Sequence, residues 1–365
     1  KVHQKMKSAM VERLTVCVVG SGNWGSTAAK IIGENVMEAE AGQFFDPDVR
    51  MWVFEEEVKD STGATRKLTE IINTDHENVK YLPGITLPAN VKAVPDLKQA
   101  VQGAHVLVWV LPHQFIPRTA SSVKDVIHPK AISVSMVKGG VDIAKDGLKL
   151  CSETIAEIVG HSVSVIMGAN VANEVARGDF CEATVGATDA MTGAVHQMAF
   201  NTKSFSVNVV DEVASVELCG AIKNVVALAA GFTDGLGMGS NTKAAIVRLG
   251  LKEMEAFIRH FYPATSSHVF LESCGVADLV TTCFAGRNRK CAEVFAASRV
   301  SGENRSWEDI ETELLNGQKL QGTGTAKDVM TCIKGKESDF PLFTAIYKIA
   351  FEGAAPATRA KRRGA

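Results

Sequence analysis

The sequence has almost no net charge, no paired cysteine motif and no uninterrupted apolar run long enough to cross a membrane. Its 39 basic and 41 acidic side chains give a formal net charge of −2, which provides no electrostatic basis for binding nucleic acid. Charges or glycines interrupt the sizeable apolar runs, so we expect no transmembrane segment. The eight cysteines are scattered without a Cys-x-x-Cys pair, which predicts buried free thiols in a reducing compartment.

The length and the order of elements predict two domains. A chain of 365 residues is too long for one ordinary hydrophobic core. Strand and helix patterns alternate in the first half, whereas helices dominate after Asp211, and we see no repeats. We therefore predict an α/β domain of residues 1–210 and an all-α domain of residues 211–365. The sequence starts at Lys1 and not at Met, so we expect a trimmed chain, and the removed part would be a transit peptide or an upstream domain.

A glycine-rich motif follows the first predicted strand. The β-rich run 14–19 leads directly into Gly20-Ser21-Gly22-Asn23-Trp24-Gly25, and a helical pattern continues to Ile32. This Gly-x-Gly-x-x-Gly pattern between strand and helix predicts a dinucleotide-binding loop. The first glycine permits a tight turn, the second lets the backbone approach a pyrophosphate, and the third lets the helix pack closely on the strand. A glycine-rich turn without a ligand is the alternative.

Three acidic residues follow the second predicted strand, which we place at 49–54. The acidic residue of a dinucleotide fold usually comes about 20 residues after the glycines, whereas here the segment 34–48 has the character of an insertion. Glu55, Glu56 and Glu57, with no arginine beside them, disfavour a 2′-phosphate. We therefore expect NAD and not NADP as the cofactor. A solvated acidic strand end is the alternative.

Three further strands, at 105–111, 131–137 and 162–167, end in polar or glycine-bearing loops, and two more are predicted at 182–185 and 205–210. Ligands of open α/β sheets bind at the carboxyl ends of the strands. Phe115 and Lys138 are therefore predicted to lie near the cofactor, although Lys138, which precedes Gly139-Gly140, could also be an ordinary loop lysine. We interpret His113 as a loop residue that caps a strand end.

The run 218–232 is typical of a buried helix that is apolar on nearly every side, and Lys223 and Asn224 interrupt it. A buried ammonium is costly unless it is paired or its pKa falls. We interpret Lys223 as a catalytic lysine; the alternative is a lysine that snorkels to the surface. If it is catalytic, Lys223→Met removes a costly buried amine, and we expect stability to hold or rise.

Other polar groups stand out in the predicted helical half. Asp278 lies in the otherwise apolar stretch 275–283, and Gly286-Arg287-Asn288 opens a helix in a way that suits an anion. A solvated basic face is the alternative for that run. The glycine-bracketed loop 316–322 could close over a ligand. Helices are predicted at 211–232, 242–262, 276–283, 288–298, 307–315, 325–334 and 341–352. The basic tail is interpreted as a frayed terminus and contains Arg359, Lys361, Arg362 and Arg363.

Taken together, these motifs resemble the NAD-dependent glycerol 3-phosphate dehydrogenases of the eukaryotic type. The most specific part is the combination of Leu-Cys-Gly-Ala-Ile-Lys-Asn-Val-Val-Ala (218–227) with Thr-Thr-Cys-Phe-Ala-Gly-Arg-Asn-Arg-Lys (281–290). Matching stretches, among them 73–84, extend from about residue 14 to 353. The chain departs from the family at Met136-Val137, where Leu-Ile is frequent, and 33–48 does not align residue by residue.

The resemblance implies a fold and a reaction. The fold is an N-terminal Rossmann-type α/β domain followed by an all-α C-terminal domain of the 6-phosphogluconate-dehydrogenase-like architecture, with catalysis in the cleft between them. The reaction interconverts sn-glycerol 3-phosphate with NAD⁺ and dihydroxyacetone phosphate with NADH. Lys223 is implied as the lysine general acid/base, Lys138 as a second active-site lysine and Asp278 as a catalytic residue that could orient a lysine. No metal is expected.

The family's binding residues are carried over position by position. Substrate contacts are implied for Lys138, Asn224, Thr282, Arg287 and Asn288. Cofactor contacts are implied for Gly20, Ser21, Gly22, Asn23, Trp24, Gly25, Phe54, Phe115, Lys138, Ala172, Arg287, Lys319 and Gln321.

The resemblance also implies a homodimer, a cytoplasmic location and a link from glycolysis to glycerolipid synthesis and NADH reoxidation. A plastid, peroxisome or glycosome is the alternative location if a targeting segment has been removed. We expect no nucleic-acid partner and no membrane insertion. Two other functions stay open: a two-domain NAD(P) enzyme for β-hydroxy or sugar acids, and an NAD-sensing module without turnover. The sensor would have no use for Lys138, Lys223 and Asp278.

Overall fold

A computed structural model describes residues 12–138, 142–144, 147–315 and 317–355. The chain divides into two compact units, one of residues 1–138 and 150–217 and one of residues 139–149 and 218–365. One boundary between the units lies inside a long helix, and the second unit also contains residues 139–149. The predicted domains of 1–210 and 211–365 stay a prediction. Several residues singled out in the sequence lie outside the described ranges, namely Gly139, Gly140, Asn316, Arg359, Lys361, Arg362 and Arg363.

The first unit is built on an eight-stranded sheet. Its strands are β1 (Leu14–Val19), β2 (Phe45–Trp52), β3 (Val91–Val94), β4 (Val106–Trp109), β5 (Ile132–Ser135), β6 (Val163–Met167), β7 (Cys181–Gly186) and β8 (Phe205–Val210). Their order across the sheet is β8-β7-β6-β5-β4-β1-β2-β3. Neighbours run parallel except for the antiparallel pair β6 and β7. The prediction of an α/β Rossmann-type domain is confirmed.

Side-chain alternation along the strands builds a core on each face of the sheet. In β1, Val16 and Val18 belong to one buried apolar cluster, whereas Cys17 and Val19 belong to the other. A strand that is buried on both faces reads as a continuous apolar run, which is why β1 is recognisable from the sequence. Burial also raises the pKa of the Cys17 thiol to about 12, as expected for an unreactive core cysteine.

Helices connect these strands. They are α1 (Asn23–Asn35), α2 (Leu68–Asp75), α3 (Leu97–Val101), α4 (Ile116–Val123), α5 (Cys151–Val159), α6 (Ala172–Arg177) and α7 (Ala190–Phe200). The segment 34–48, which the sequence marked as an insertion, holds the end of α1, the 3₁₀ turn Ala41–Gln43 and the start of β2. A small antiparallel hairpin pairs Glu57–Lys59 with Thr65–Lys67.

The second unit is helical, as predicted, apart from a hairpin of Asp142–Ala144 and Gly147–Lys149. Its helices are α8 (Val213–Gly235), which begins in the first unit, α9 (Ser240–Phe261), α10 (Asp278–Ala285), α11 (Arg287–Ser301), α12 (Trp307–Leu315), α13 (Gln321–Cys332) and α14 (Pro341–Phe351). A π-helical turn, Ser273–Ala277, runs directly into α10. The largest deviation from the predicted helices is at α13, which starts four residues before the predicted 325.

Helix α8 is the central element of the second unit. It is long and apolar enough to cross a membrane, but 89% of its most apolar window is buried inside the protein, a property it shares with core helices of water-soluble proteins. Glycines bring neighbouring helices close to it. A Cβ on Gly231 would lie 2.2 Å from the carbonyl oxygen of Arg289, and a Cβ on Gly250 would lie 2.2 Å from a methyl group of Val226. These glycines therefore allow α11 and α9 to pack directly against α8.

Candidate active site

The glycine loop joins β1 to α1, and its three glycines have different roles. Gly20 has a φ of 124°, and a Cβ on it would lie 2.3 Å from the carbonyl oxygen of Val110. A Cβ on Gly25 would lie 2.1 Å from the carbonyl oxygen of Gly20, whereas a Cβ on Gly22 would meet no atom within 4 Å. The loop therefore needs glycine for its turn and its packing, and at Gly22 it borders open space. This arrangement fits a pyrophosphate that approaches the backbone closely.

Helix α1 begins at this loop. Gly22 precedes the first turn and provides no side-chain cap, so the turn offers backbone N–H groups and a positive dipole end to an anion. Asn23 uses its side chain within the protein: Nδ2 donates to the carbonyl oxygen of Tyr81 (2.7 Å) and to Oδ1 of Asn173 (2.7 Å). Trp24 is half-buried against the core of the sheet.

Asn78 supports the loop, although no local sequence pattern assigns it a role. Its amide is fully buried. Nδ2 donates to the carbonyl oxygen of Ser21 (2.9 Å) and to Oγ of Ser26 (2.8 Å), and Oδ1 accepts from the backbone N–H of Tyr81 (3.1 Å). The available signal was its place in the stretch 73–84, which carries part of the family resemblance.

Two aromatic side chains are exposed in the loops that follow sheet strands. Phe54 comes just after β2 and is 72% exposed, and Phe115 lies in the 3₁₀ turn after β4 and is 52% exposed. Such rings offer an apolar surface to a flat ligand. Ala172 is buried at the start of α6, where its carbonyl oxygen accepts from the hydroxyl of Thr27 in α1 (3.3 Å).

The three acidic residues after β2 have partners in the protein. Glu55 accepts from the hydroxyl (2.6 Å) and the backbone N–H (3.3 Å) of Thr69, in the first turn of α2. Glu56 pairs with Lys80 and accepts from the hydroxyl of Tyr81 (3.1 Å). Glu57 is exposed in the small hairpin. Sequence reasoning expected all three directly at the strand end, whereas β2 ends at Trp52, and their role in choosing NAD stays a prediction.

Lys138 follows β5 and is half-buried. Its Nζ donates to the carbonyl oxygen of Gly168 (2.8 Å), in the loop after the neighbouring strand β6. Lys138 thus lies at the carboxyl ends of the parallel strands, where the topology predicted it.

In the second unit, Lys223 and Asp278 form a buried ion pair between α8 and the start of α10. Lys223 is 5% exposed and Asp278 is 2% exposed, so the snorkelling alternative is wrong. Asp278 stands where the π-helical turn joins the α-helix, and such irregular turns are frequent at functional sites. The pair places an ammonium and its carboxylate partner inside the helical unit, where water reaches neither side chain to any extent.

A second polar cluster joins Asn224, which follows Lys223 in the sequence, to Asn288 and Gly322. Nδ2 of Asn288 donates to Oδ1 of Asn224 (3.0 Å), and Oδ1 of Asn288 accepts from the backbone N–H of Gly322 (2.9 Å). Gly322 has no space for a side chain, because a Cβ would lie 2.6 Å from the carbonyl oxygen of Asn224. Asn224, Asn288 and Thr282, which is one helical turn after Asp278, are all buried.

Arg287 begins α11, after Gly286 as a cap without a side chain. Its guanidinium is exposed and donates from Nη1 to Oε1 of Gln318 (3.2 Å). Lys319 forms an ion pair with the buried carboxylate of Glu311 (2.9 Å), and this bond raises the pKa of the lysine. Gln321 is the exposed first residue of α13.

Sequence reasoning missed Glu311, which lies in the middle of the short helix α12. Oε1 of Glu311 also accepts from the backbone N–H of Leu320 (3.0 Å). It missed Asp234 as well, whose Oδ2 accepts from Nζ of Lys243 (2.7 Å) and Nη1 of Arg289 (3.0 Å). Arg289 is 55 residues from Asp234, and the other partners, eight or nine residues away, lie beyond the end of the helix that holds the carboxylate, so no helical or strand spacing identifies them.

The structure also brings together Glu12, His105 and His128, whose ligand atoms lie within 4.8 Å of one another. The hydrogen bonds do not fit metal ligation through Nε2. Nδ1 of His105 accepts from the backbone N–H of Thr15 (3.3 Å), and Nδ1 of His128 accepts from that of Lys130 (3.2 Å). A neutral imidazole bonded in this way carries its proton on Nε2, whereas a metal-bound histidine usually donates from its second nitrogen. The absence of a metal stays a prediction.

Comparisons with known proteins cover nearly the whole chain. The family model for the N-terminus of NAD-dependent glycerol-3-phosphate dehydrogenase matches residues 15–193, and the model for its C-terminus matches residues 212–361. The chain is 54% identical over 341 residues to the cytoplasmic NAD⁺ glycerol-3-phosphate dehydrogenase of Homo sapiens, covering 93% of this chain and 94% of that one. The corresponding protein of Rattus norvegicus is 53% identical over 341 residues, with the same coverage.

Solved structures of glycerol-3-phosphate dehydrogenases are also similar to this chain over nearly its whole length. The glycerol-3-phosphate dehydrogenase of Saccharomyces cerevisiae is 42% identical and superposes with a TM-score of 0.85, covering 94% of this chain and 97% of that one. The Plasmodium falciparum enzyme is 38% identical, with a TM-score of 0.87 and coverage of 98% and 96%.

Proposed function

Since this chain belongs to the NAD-dependent glycerol-3-phosphate dehydrogenase family, we propose that Lys223 transfers the proton of its reaction. The protein is an oxidoreductase that uses NAD and interconverts glycerol 3-phosphate and dihydroxyacetone phosphate. The observation that carries the proposed role is the buried ion pair of Lys223 with Asp278. Burying a lysine and a carboxylate stabilises a fold little, because the free energy of removing both charges from water can exceed the attraction between them. A purely structural role therefore does not account for this pair.

The chemistry of the two substrates requires a group that accepts and returns a proton, and Lys223 is our proposal for that group. When bound, NAD supplies the hydride acceptor and its reduced form the hydride donor. In the oxidation, the neutral amine of Lys223 accepts the hydroxyl proton of glycerol 3-phosphate. In the reduction, the ammonium returns a proton to the oxygen of dihydroxyacetone phosphate as its negative charge develops. The carboxylate of Asp278 pairs with Nζ of Lys223 and holds it in one position, so we assign Asp278 an orienting role.

Arg287 and Asn288 are the proposed phosphate-binding residues. Support comes from their position at the start of α11, where uncapped N–H groups, an exposed guanidinium and an amide occur together. Asn288 donates to Asn224 through its Nδ2 and has a second N–H on that nitrogen for an anion. Binding energy from the remote phosphate then positions the reacting carbon. Asn224 and Thr282 are proposed as further substrate contacts.

Lys138 is proposed as a second active-site lysine that stabilises the developing alkoxide and also contacts the cofactor. Its hydrogen bond to the carbonyl oxygen of Gly168 supports a fixed position for the ammonium. The other proposed cofactor contacts are Gly20, Ser21, Gly22, Asn23, Trp24, Gly25, Phe54, Phe115, Ala172, Arg287, Lys319 and Gln321. Lys319 is paired with Glu311, so its proposed contact with the cofactor either adds to this ion pair or replaces it.

The location, the oligomeric state and the metabolic role of the protein complete the proposal. We propose a cytoplasmic location, since the curated relatives are named cytoplasmic enzymes. We propose a homodimer, supported by large apolar side chains exposed on the second unit, among them Leu249, Leu271 and Phe284. We also propose that the reaction links glycolysis to glycerolipid synthesis and to NADH reoxidation.

The direct test is an absorbance assay of NADH in both directions. It follows the loss of NADH with dihydroxyacetone phosphate and the formation of NADH from NAD⁺ with glycerol 3-phosphate. We expect turnover with the two phosphorylated substrates, none with a β-hydroxy acid, and much lower kcat/KM with NADPH, because Glu55–Glu57 disfavour a 2′-phosphate. Turnover with a carboxylate substrate alone would instead identify an acid dehydrogenase. NADH binding without turnover of any of these substrates would identify a sensor.

A further inference from the structure

The segment 78–81 contacts the glycine loop on both sides of Gly22. On one side, Nδ2 of Asn78 donates to the carbonyl oxygen of Ser21 (2.9 Å). On the other side, the side chain of Asn23 donates to the carbonyl oxygen of Tyr81 (2.7 Å). Asn78 also accepts from the backbone N–H of Tyr81, so a single buried amide links both contacts.

The carbonyl of Ser21 has its direction fixed by two hydrogen bonds. One comes from Asn78, and the other comes from the hydroxyl of Ser26 (3.1 Å), which itself accepts from Asn78 (2.8 Å). A trans peptide is planar, so the C=O of Ser21 and the N–H of Gly22 point in opposite directions. Because the carbonyl faces the fully buried Asn78, the N–H of Gly22 is directed away from the core.

This direction suits an anion, because Gly22 borders open space. A Cβ on Gly22 would meet no atom within 4 Å. We propose that Asn78 is a positioning residue for the diphosphate of the dinucleotide: it acts through the carbonyl of Ser21 to present the N–H of Gly22 to a phosphate oxygen. The inference rests on the proposed use of the glycine loop for NAD. Asparagine suits the task because the position needs two donors and one acceptor in one short side chain.

Asn78→Ala tests the proposal by direct NADH binding and steady-state kinetics on the full chain. We expect the Kd and KM for NADH to rise roughly tenfold, because the N–H of Gly22 is no longer held toward the charged diphosphate and its hydrogen bond is weakened. The kcat at saturating NADH and the KM for dihydroxyacetone phosphate should change by less than about twofold, because none of the hydrogen-bond partners of Asn78 is a proposed substrate contact.

Asn35→Ala is the matched control. Asn35 is also buried, lies at the far end of α1, and donates from Nδ2 to the carbonyl oxygens of Met198 (2.6 Å) and Ala199 (3.2 Å). It should lower the melting temperature like Asn78→Ala but leave the Kd for NADH unchanged. An equal loss of NADH affinity in both variants, or an unchanged Kd in folded Asn78→Ala, would overturn the proposal.

Asn78→Asp provides an independent readout and keeps an acceptor for Tyr81 if the alanine variant does not fold. An ionised aspartate cannot donate to Ser21, so NADH affinity should fall as the pH rises through the titration of the new carboxyl group. A pH profile equal to that of the wild type would contradict the positioning role. If the wild type itself fails to bind NADH, the proposed function falls first; if it binds and the variants do too, the positioning role alone falls.

Discussion

The buried pair of Lys223 and Asp278 determines what a substitution at either residue does. From the sequence alone, replacing Lys223 by Met is expected to relieve the cost of a buried amine. The structure changes that expectation, because Asp278 would keep its carboxylate in a site that is 2% exposed. Removing one partner of a buried pair leaves an uncompensated charge, which is more costly than either the intact pair or two neutral groups.

We therefore predict two effects of Lys223→Met. Turnover should fall by roughly 10²–10⁴, the usual contribution of a positioned acid or base. The free energy of unfolding should fall by about 3–5 kcal/mol, as for a broken buried pair. The double variant Lys223→Met with Asp278→Asn should recover stability but not turnover. Denaturant unfolding and an NADH assay on the same preparations check both, and near-wild-type turnover in folded Lys223→Met would contradict the mechanism.

Arg287→Ala is predicted to act on substrate binding. Its guanidinium is exposed and held by Gln318, so the substitution leaves no buried group unpaired. Loss of a charge-assisted bond costs about 1.5–3 kcal/mol, which corresponds to a KM for dihydroxyacetone phosphate raised roughly tenfold to more than a hundredfold. The KM for NADH should also rise, but by less, because Arg287 is only one of many proposed cofactor contacts.

Arg299→Ala is the control for that experiment. Arg299 lies in the same helix, is also exposed, and donates from Nη1 to Oδ1 of Asn304 (3.1 Å). It is more than two helical turns from the start of α11, so its removal should leave both KM values unchanged. An unaltered substrate KM in Arg287→Ala would remove Arg287 from the phosphate site.

At the scale of elements, the contact between α8 and α11 depends on glycine. A Cβ on Gly231 would lie 2.2 Å from the carbonyl oxygen of Arg289 and 2.6 Å from Cβ of Ala292. Both of these atoms belong to the helix that begins with the proposed phosphate-binding residues. A methyl group added at Gly231 would therefore force α8 and α11 apart.

We predict that Gly231→Ala lowers the free energy of unfolding by about 1–3 kcal/mol, as for an overpacked core, and raises the KM for dihydroxyacetone phosphate. Gly324→Ala is the matched control, because a Cβ there would meet nothing within 4 Å. Alanine in a helix interior gains about 0.5–1 kcal/mol over glycine, so this variant should be slightly more stable. Thermal melting of both proteins checks the prediction, and equal effects would show that the close approach does not matter.

Elements with strong local patterns could be predicted from the sequence. The bounds of β1 and β8 are confirmed, and α8 is recognisable because its apolar pattern is long. The edge strand β3 was missed because Val91–Val94 is short and half of it faces solvent. In the candidate site, the glycine loop and Lys223 stand out by type and spacing. Asn78 does not, because its bonds to Ser21 and Ser26 span more than 50 residues.

At the scale of the whole molecule, two buried groups of the first unit make stability depend on pH in opposite directions. Burial lowers the pKa of His196 from 6.5 to about 4. Burial raises the pKa of Glu217 from 4.5 to about 7, although its carboxylate accepts from the backbone N–H groups of Cys151 and Ser152 at the start of α5. Neighbouring Glu153 contributes to the same rise.

The signs follow from which state binds the proton. Below pH 6.5 the unfolded chain protonates His196 and the folded protein does not, so stability falls as the pH drops from about 6.5 to 4. Between pH 4.5 and 7 the folded protein keeps a proton on Glu217 that the unfolded chain releases, so stability falls as the pH rises. Each full shift corresponds to about 3 kcal/mol, and between pH 4.5 and 6.5 the two slopes oppose each other.

Glu217→Gln separates the two contributions. The amide keeps an acceptor oxygen for the N–H groups of α5 but does not ionise, so only the slope from His196 remains. Relative to wild type, the variant should therefore gain stability steadily between pH 4.5 and 7, by about 3 kcal/mol in all. Thermal melting of both proteins across this range measures the difference. A difference that stays constant with pH would mean that Glu217 is ionised in the folded protein throughout, and its bonds at the start of α5 would then be those of an ordinary charged cap.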